Sequence, residues 1–202
     1  STEYEVSLQS SYSVFENIDK EKYDVFPIGI TRSGEWYHYT GDIKKITDNT
    51  WFTDKEKMSS IVVSQNRSVK GFIEFKDNKT NVIQIDLVFP VLHGKNGEDG
   101  TLQGLFELAG IPVVGCDTLS SALCMDKDKA HKLVSLAGIS VPKSVAFKSF
   151  DKETALKEIE AKLSYPLFVK PVRAGSSFGI TKVTDKEKLE AAIQLAFEHD
   201  AE

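Results

Sequence analysis

Cysteine is scarce in this 202-residue chain, which has only Cys116 and Cys124. Neither stands at metal-ligand spacing, and both lie among apolar residues, so two buried reduced thiols are expected. Positive charge is also short, because 25 Lys and Arg against 30 Asp and Glu leave a net charge of −5. That balance lacks the basic footprint of a nucleic-acid binder. No polybasic stretch is available for anionic lipid. No apolar run approaches the roughly 20 residues a membrane-spanning helix requires. The first seven residues have neither the basic nor the apolar region of a secretory signal. Repeats and low-complexity stretches are missing too. Together these absences point to a cytoplasmic protein with no nucleic-acid or membrane partner.

What remains is ordinary globular composition, 41% hydrophobic and 27% charged. Leu8, Tyr12, Phe15 and Ile18 recur at helical spacing, and Ser7 is the expected N-cap of a helix over residues 7–18. Residues 23–30 and 35–39 read as strands of a hairpin around the Ser33-Gly34 turn. Further short strands are expected at 60–64 and 71–75, followed by a turn at 77–79. The apolar stretch 82–92 reads as a central parallel strand buried on both faces. A helix over 101–109 follows, closed by Gly110, then a short strand at 113–114 and one long helix over 120–137. Pro142 marks a boundary, so the expected domains are 1–140 and 141–202. In the second, strands are expected at 144–147, 167–170 and 179–183. Helices are expected over 151–163 and 185–199, with Asp151 and Asp185 as N-caps. The strand–helix alternation gives an α/β class with a mostly parallel sheet. The chain opens on polar, chemistry-like sequence and closes on a helix with no strand after it, as a fragment would.

Four segments could carry chemistry. In residues 93–100 a strand end runs through Gly94, Gly97 and Gly100 into a helix start, where parallel sheets bind ligands. Positive φ and close backbone approach are open to those glycines. The free amides of the helix start favour an anion such as a carboxylate, with His93 beside it. A tight turn capped by Asp99, with Glu98 in solvent, explains the same residues equally well. The second segment, 168–179, places Lys170 on a strand interior, where burial requires an anionic partner. Its loop carries Arg173, Gly175, Ser176, Ser177 and Gly179, whose amides and hydroxyls can surround phosphate oxygens. It lacks the ending of a Walker A loop, and a plain hairpin loop with Lys170 turned outward is the alternative. In the third segment, 120–132, Lys127 reads as a solvated helical lysine. In the fourth, Glu3 and Glu5 need no function, since a helix start favours carboxylates through its dipole. His131 and His199 read as surface histidines, and His38 is uninformative alone.

The four segments together are far more specific than any one. Ser-x-Glu-x-x-Val-Ser (1–7), His-Gly-x-x-Gly-Glu-Asp-Gly-x-x-Gln-Gly (93–104), Ser-Ala-Leu-x-Met-Asp-Lys (121–127) and Val-Lys-Pro-x-x-x-Gly-Ser-Ser-x-Gly (169–179) occur in that order. This series resembles the D-alanine–D-alanine ligase family of ATP-grasp enzymes over essentially the whole chain. Leu-Phe-Glu-Leu (105–108), Val-Gly-Cys-Asp (114–117) and Gly-Ser-Ser-Phe-Gly (175–179) are similar to its vancomycin-resistance branch, and within it to D-alanine–D-serine ligases.

The resemblance implies an N-terminal substrate-binding domain followed by an incomplete first ATP-grasp subdomain, with the C-terminal subdomain missing. It implies phosphorylation of one D-alanine by ATP, then attack by the amine of a second D-amino acid, D-serine favoured over D-alanine. By motif position Glu3 would hold the first D-alanine's ammonium, and His93 would lie beside its carboxylate. Lys127 and Lys170 would contact ATP phosphates, with the 173–179 loop (Arg173, Gly175, Ser176, Ser177, Gly179) over them. Ser176 would pair with Glu3, these two being the expected catalytic residues. Gln9 stands where lactate-using relatives are expected to carry lysine, so the acceptor is expected to be an amine. Magnesium is implied, with its ligands in the missing part and none in this chain. A homodimer is implied as well. The first strand and paired glycines of the family are absent, and the 202 residues alone are expected to be inactive.

Overall fold

The computed structural model describes residues 3–148 and 152–200. They form two compact units, Ser1–Thr118 and Leu119–Glu202. The expected division after residue 140 falls inside the second of these.

The first unit begins with α1 (Tyr4–Asn17), which packs Tyr4, Leu8 and Phe15 against Tyr39, Ile46 and Trp51. Ser7 is not its N-cap. Its backbone N–H already reaches the Glu3 carbonyl at 3.0 Å, so the helix starts a turn earlier and Ser7 is buried inside it. Then come β1 (Ile28–Ile30), β2 (Trp36–Tyr39), a single helical turn α2 (Lys44–Thr47), β3 (Met58–Val63), β4 (Gly71–Lys76) and β5 (Lys79–Gln84). These strands form one sheet in sequence order, with every neighbouring pair antiparallel.

The mixture of helices and strands holds, but the parallel sheet does not form as expected. Among the described residues its parallel element is a single bridge between Val88 and Val113. The cause is local. Asp77 and Asn78 both take positive φ, 50° and 57°, making the tight turn that sends β5 straight back along β4. The expected strand over 82–92 consequently ends at Gln84, and most of β5 is exposed rather than buried on two faces. Pro90, which has no amide to donate, discourages any extension of pairing.

Helix α3 (Thr101–Ala109) forms where periodicity placed it. It ends at Gly110 (φ 72°), with the Ile111 amide reaching back to the Phe106 carbonyl. The Arg67 guanidinium covers the last carbonyls, at 3.2 Å from Leu108 and 3.0 Å from Glu107. Leu102, Phe106 and Ala109 pack on Ile61 and Phe72 to make the main core of this unit. The same side of the sheet carries a buried polar cluster. The Glu74 carboxylate accepts from Ser59 and Asn81 and lies 2.8 Å from His38 Nδ1, while Phe26 stacks on the imidazole.

In the second unit the expected single helix is two, α4 (Thr118–Met125) and α5 (Lys127–Leu136). Asp126 separates them. Its backbone is extended, and its side chain caps α5 by accepting from the Lys129 amide at 2.9 Å. No regular strand forms at 144–147. Helix α6 (Lys152–Lys162) follows; its expected cap, Asp151, lies outside the described residues. β6 (Leu167–Val169) and β7 (Thr181–Val183) pair antiparallel. Asp185 then caps a 3-10 turn at Lys186–Lys188, which leads into α7 (Leu189–Phe197). Ile159, Leu167, Val183, Leu189 and Ile193 form the core.

Both cysteines are free and exposed, against expectation. Cys116 follows Gly115 in a loop, and on α4 the buried position is Ser121 rather than Cys124. Among the described residues no helix is long and apolar enough to cross a membrane.

Candidate active site

Each unit carries one cluster of the expected residues. In the first, the 93–100 loop is the tight turn capped by Asp99 that the second of the two readings expected. Gly94 (φ 75°), Asn96 (φ 71°) and Gly100 (φ 89°) bend the chain back toward α3. Gly97 is required for closeness instead, since a Cβ there would stand 2.6 Å from the Leu92 carbonyl oxygen. Asp99 does cap the turn, accepting from the amides of Asn96 and Thr101 at 2.9 and 3.1 Å. Burial pushes its carboxyl up, but these hydrogen bonds outweigh burial and hold it below the ordinary value. Glu98 is not simply solvated. One of its oxygens accepts from the Gly94 amide at 2.6 Å, and the other lies 3.9 Å from His93 Nδ1.

Helix α1 fixes His93 from the other side. The His93 amide donates to Ser7 Oγ (2.9 Å), and Ser7 Oγ in turn donates to the Glu3 carbonyl (3.2 Å). One buried hydroxyl thus ties Glu3 to His93. Ser10 Oγ lies 3.0 Å from His93 Nε2. Glu3 itself is buried, with 4% of its surface exposed. Gln9 is not brought to this cluster. It is exposed, donates to the Thr47 carbonyl at 3.1 Å, and sits about 200° round the helix from Ser7.

In the second unit Lys170 is just past the end of β6 and exposed, with Nζ 5.7 Å from the Phe168 ring centroid. The expected strand over 167–170 thus ends one residue early, at Val169, and Lys170 turns outward as the hairpin-loop alternative had it. The loop beyond it is tightly wound. Ser176 (φ 46°) and Ser177 (φ 62°) occupy the left-handed region, costly for residues with a Cβ, and Gly179 (φ 67°) follows. A Cβ at Gly179 would come within 2.8 Å of Pro171 Cγ. Gly175 closes a turn by accepting from the Phe178 amide at 3.1 Å. Arg173 is held by Asp200, which accepts from its backbone amide at 2.8 Å and from Nε at 3.3 Å.

Lys127 is more than a solvated helical lysine. Its Nζ donates to the carbonyls of Val172 (3.3 Å) and Ala174 (2.5 Å), so a cation on α5 grips the base of the serine loop. Its backbone amide adds a bond to Val172 at 3.2 Å. Beside it, burial raises the Asp126 carboxyl, yet bonds from the Lys129 ammonium and amide, with the Arg173 charge, hold it low overall.

Sequence reasoning missed Ser10, Asp126, Asp200 and Gln103 as parts of these clusters. Gln103, buried on α3, donates to the Gly97 carbonyl at 3.0 Å and pins the glycine loop to its helix. Its place in the quoted motif was the available signal, and Asp126 had one in its position before Lys127. Asp200 had none. Among the described residues no group of three His, Cys, Asp or Glu is arranged to hold a metal.

Residues 1–116 match the family model described as the D-ala D-ala ligase N-terminus, and residues 133–202 match that of the D-ala D-ala ligase C-terminus. The chain belongs to the D-alanine–D-alanine ligase family. It is 75% identical to VanG D-Ala:D-Ser ligase from Enterococcus faecalis, with a TM-score of 0.90 over 100% of this chain and 57% of that one. It is 50% identical to a D-alanine–D-alanine ligase of Caldicellulosiruptor bescii, covering 99% of this chain. It is 44% identical to the vancomycin B-type resistance protein VanB of Enterococcus faecalis. The chain spans 55% of the length of each of these last two relatives.

Proposed function

We propose that the full-length protein containing this chain joins D-alanine to a second D-amino acid at the expense of ATP, with D-serine the favoured acceptor. The likeness to a D-Ala:D-Ser ligase at 75% identity supports that choice, and the likeness to VanB supports a role in glycopeptide resistance through altered cell-wall precursors. A cytoplasmic location and a homodimer belong to the same proposal.

A carboxylate oxygen of the first D-alanine attacks the γ-phosphorus of ATP, releasing ADP and forming D-alanyl phosphate. The acceptor amine then attacks the carbonyl, the C–O bond to phosphate breaks, and inorganic phosphate leaves as the new amide nitrogen loses a proton to phosphate or water. Glu3 holds the ammonium of the first D-alanine, and His93 stands at its carboxylate. Lys127, Lys170 and the amides of the 173–179 loop meet the phosphates, where negative charge develops. Ser176 is the second catalytic residue in this scheme, and the uncharged Gln9 favours an amine over a hydroxyl acceptor. Magnesium would balance phosphate charge when bound, and no ligand set for it stands among the described residues.

The observation that carries this reading is the tether of Glu3 and His93 through Ser7, which sets a carboxylate-bearing residue and an imidazole at one glycine-rich loop. The test supplies labelled D-alanine, ATP and, in turn, D-serine, D-alanine or D-lactate to the full-length enzyme. D-alanyl-D-serine should predominate and D-alanyl-D-alanine form more slowly, while residues 1–202 alone release no phosphate. Preference for D-lactate, or turnover by residues 1–202 alone, would contradict it.

A further inference from the structure

Helix α1 has four serines, and three of them behave alike. Ser7, Ser11 and Ser13 turn their hydroxyls back to the carbonyls four residues earlier, Glu3, Ser7 and Gln9, as helical serines commonly do. Ser10 does not. Its hydroxyl lies 3.0 Å from His93 Nε2, 83 residues away in sequence. On the other edge of the imidazole, Nδ1 faces the Glu98 carboxylate at 3.9 Å, and the far oxygen of that carboxylate is fixed by the Gly94 amide. His93 is thus addressed at both ring nitrogens, by groups with different hydrogen-bonding capacities.

An ionised carboxylate can only accept, whereas a hydroxyl can donate or accept. We infer that Glu98 and Ser10 are positioning residues that fix the tautomer and plane of the His93 ring. The negative charge of Glu98, 3.9 Å from Nδ1 and beyond hydrogen-bond range, favours the form with its proton on Nδ1, and Ser10 donates to the Nε2 lone pair. The inference rests on the proposed placement of the first D-alanine's carboxylate beside His93. The outer partners of a histidine commonly set which nitrogen carries the proton and how the ring lies. Here one partner sits on α1 and the other in the loop closed by Asp99. The loop itself is anchored to α3 by Gln103. The pair therefore presents the ring in one orientation before substrate arrives, and a wrongly turned ring weakens binding of D-alanine rather than the phosphoryl transfer.

The test uses the full-length enzyme with 15N-labelled histidine, the His93 signals being assigned by their loss in His93→Gln. At a pH where the ring is neutral, the wild type should show the Nδ1–H tautomer. Glu98→Gln, whose amide can donate, should shift the population toward Nε2–H. Ser10→Ala should raise KM for the first D-alanine about tenfold with a smaller change in kcat, and Ser10→Thr should restore most of it. An Nε2–H wild type overturns the inference without any variant. So does a Glu98→Gln tautomer like the wild type's, or a Ser10→Ala enzyme with unchanged KM. Failure of the wild type to ligate D-alanine at all would instead count against the proposed function, and the tautomer measurement would still decide the ring's partners.

Discussion

Replacing Lys127 with alanine in the full-length enzyme should lower kcat/KM for ATP by about a hundredfold, the usual scale for deleting one preorganised charge at a reacting centre. Two losses combine. The ammonium that meets phosphate in the proposed mechanism disappears, and the serine loop loses the cation that grips the Val172 and Ala174 carbonyls. That loop already holds Ser176 and Ser177 in a conformation that disfavours side chains, so it depends on its anchors. The α5 cap is made by Asp126 and the Lys129 amide, which leaves the helix intact in the variant. Unchanged ATP kinetics with unchanged circular dichroism would show that Lys127 serves only to pack the helix.

Glu74→Ala should destabilise the first unit by about 3 kcal/mol, because a buried network loses the acceptor shared by Ser59, His38 and Asn81. Both tryptophans, Trp36 and Trp51, belong to this unit, so tryptophan fluorescence of the 202-residue chain reports its unfolding alone. The same carboxylate carries a pH dependence. Burial raises its pKa, but hydrogen bonds from Ser59, His38 and Asn81 together overcome burial and leave it below the ordinary value. A carboxyl lowered in the folded state contributes stability that is fully present above its unfolded pKa of about 4.3. That stability is lost as pH falls through the lower folded value. Glu74→Gln should therefore flatten the loss of stability below about pH 4.3, though not abolish it, since Asp54 and Asp99 of the same unit are lowered in the same direction. An unchanged acid profile would refute this origin.

Local signals account for what was legible beforehand. Helix α3, its closing Gly110 and the 77–79 turn follow from periodicity and from residues that accept positive φ, and all three are found in place. The apolar composition of 82–92 misled because apolarity alone does not fix strand direction. The two-residue turn did, folding β5 onto β4 and leaving it exposed. Asp126 looked like one more polar residue on a long helix, yet its capping geometry divides that helix in two. Apolar neighbours in sequence made the cysteines look buried, but Cys116 falls in a loop and Cys124 is exposed on α4, where Ser121 is the buried residue. The least legible features were long-range. His38 meets Glu74 across 36 positions and Ser10 meets His93 across 83, with no periodicity linking either pair. The family motifs supplied candidate residues for the site, while the contacts that hold those residues came only with the fold.

In the proposed reaction D-alanine is activated as an acyl phosphate. The most direct measurement supplies the full-length protein with ATP, D-serine and D-alanine labelled with 18O in its carboxylate. Phosphorylation of that carboxylate followed by amine attack predicts inorganic phosphate carrying one 18O atom. Unlabelled phosphate released alongside dipeptide would mean that no bond forms between the D-alanine carboxylate and the γ-phosphorus, and would contradict the account.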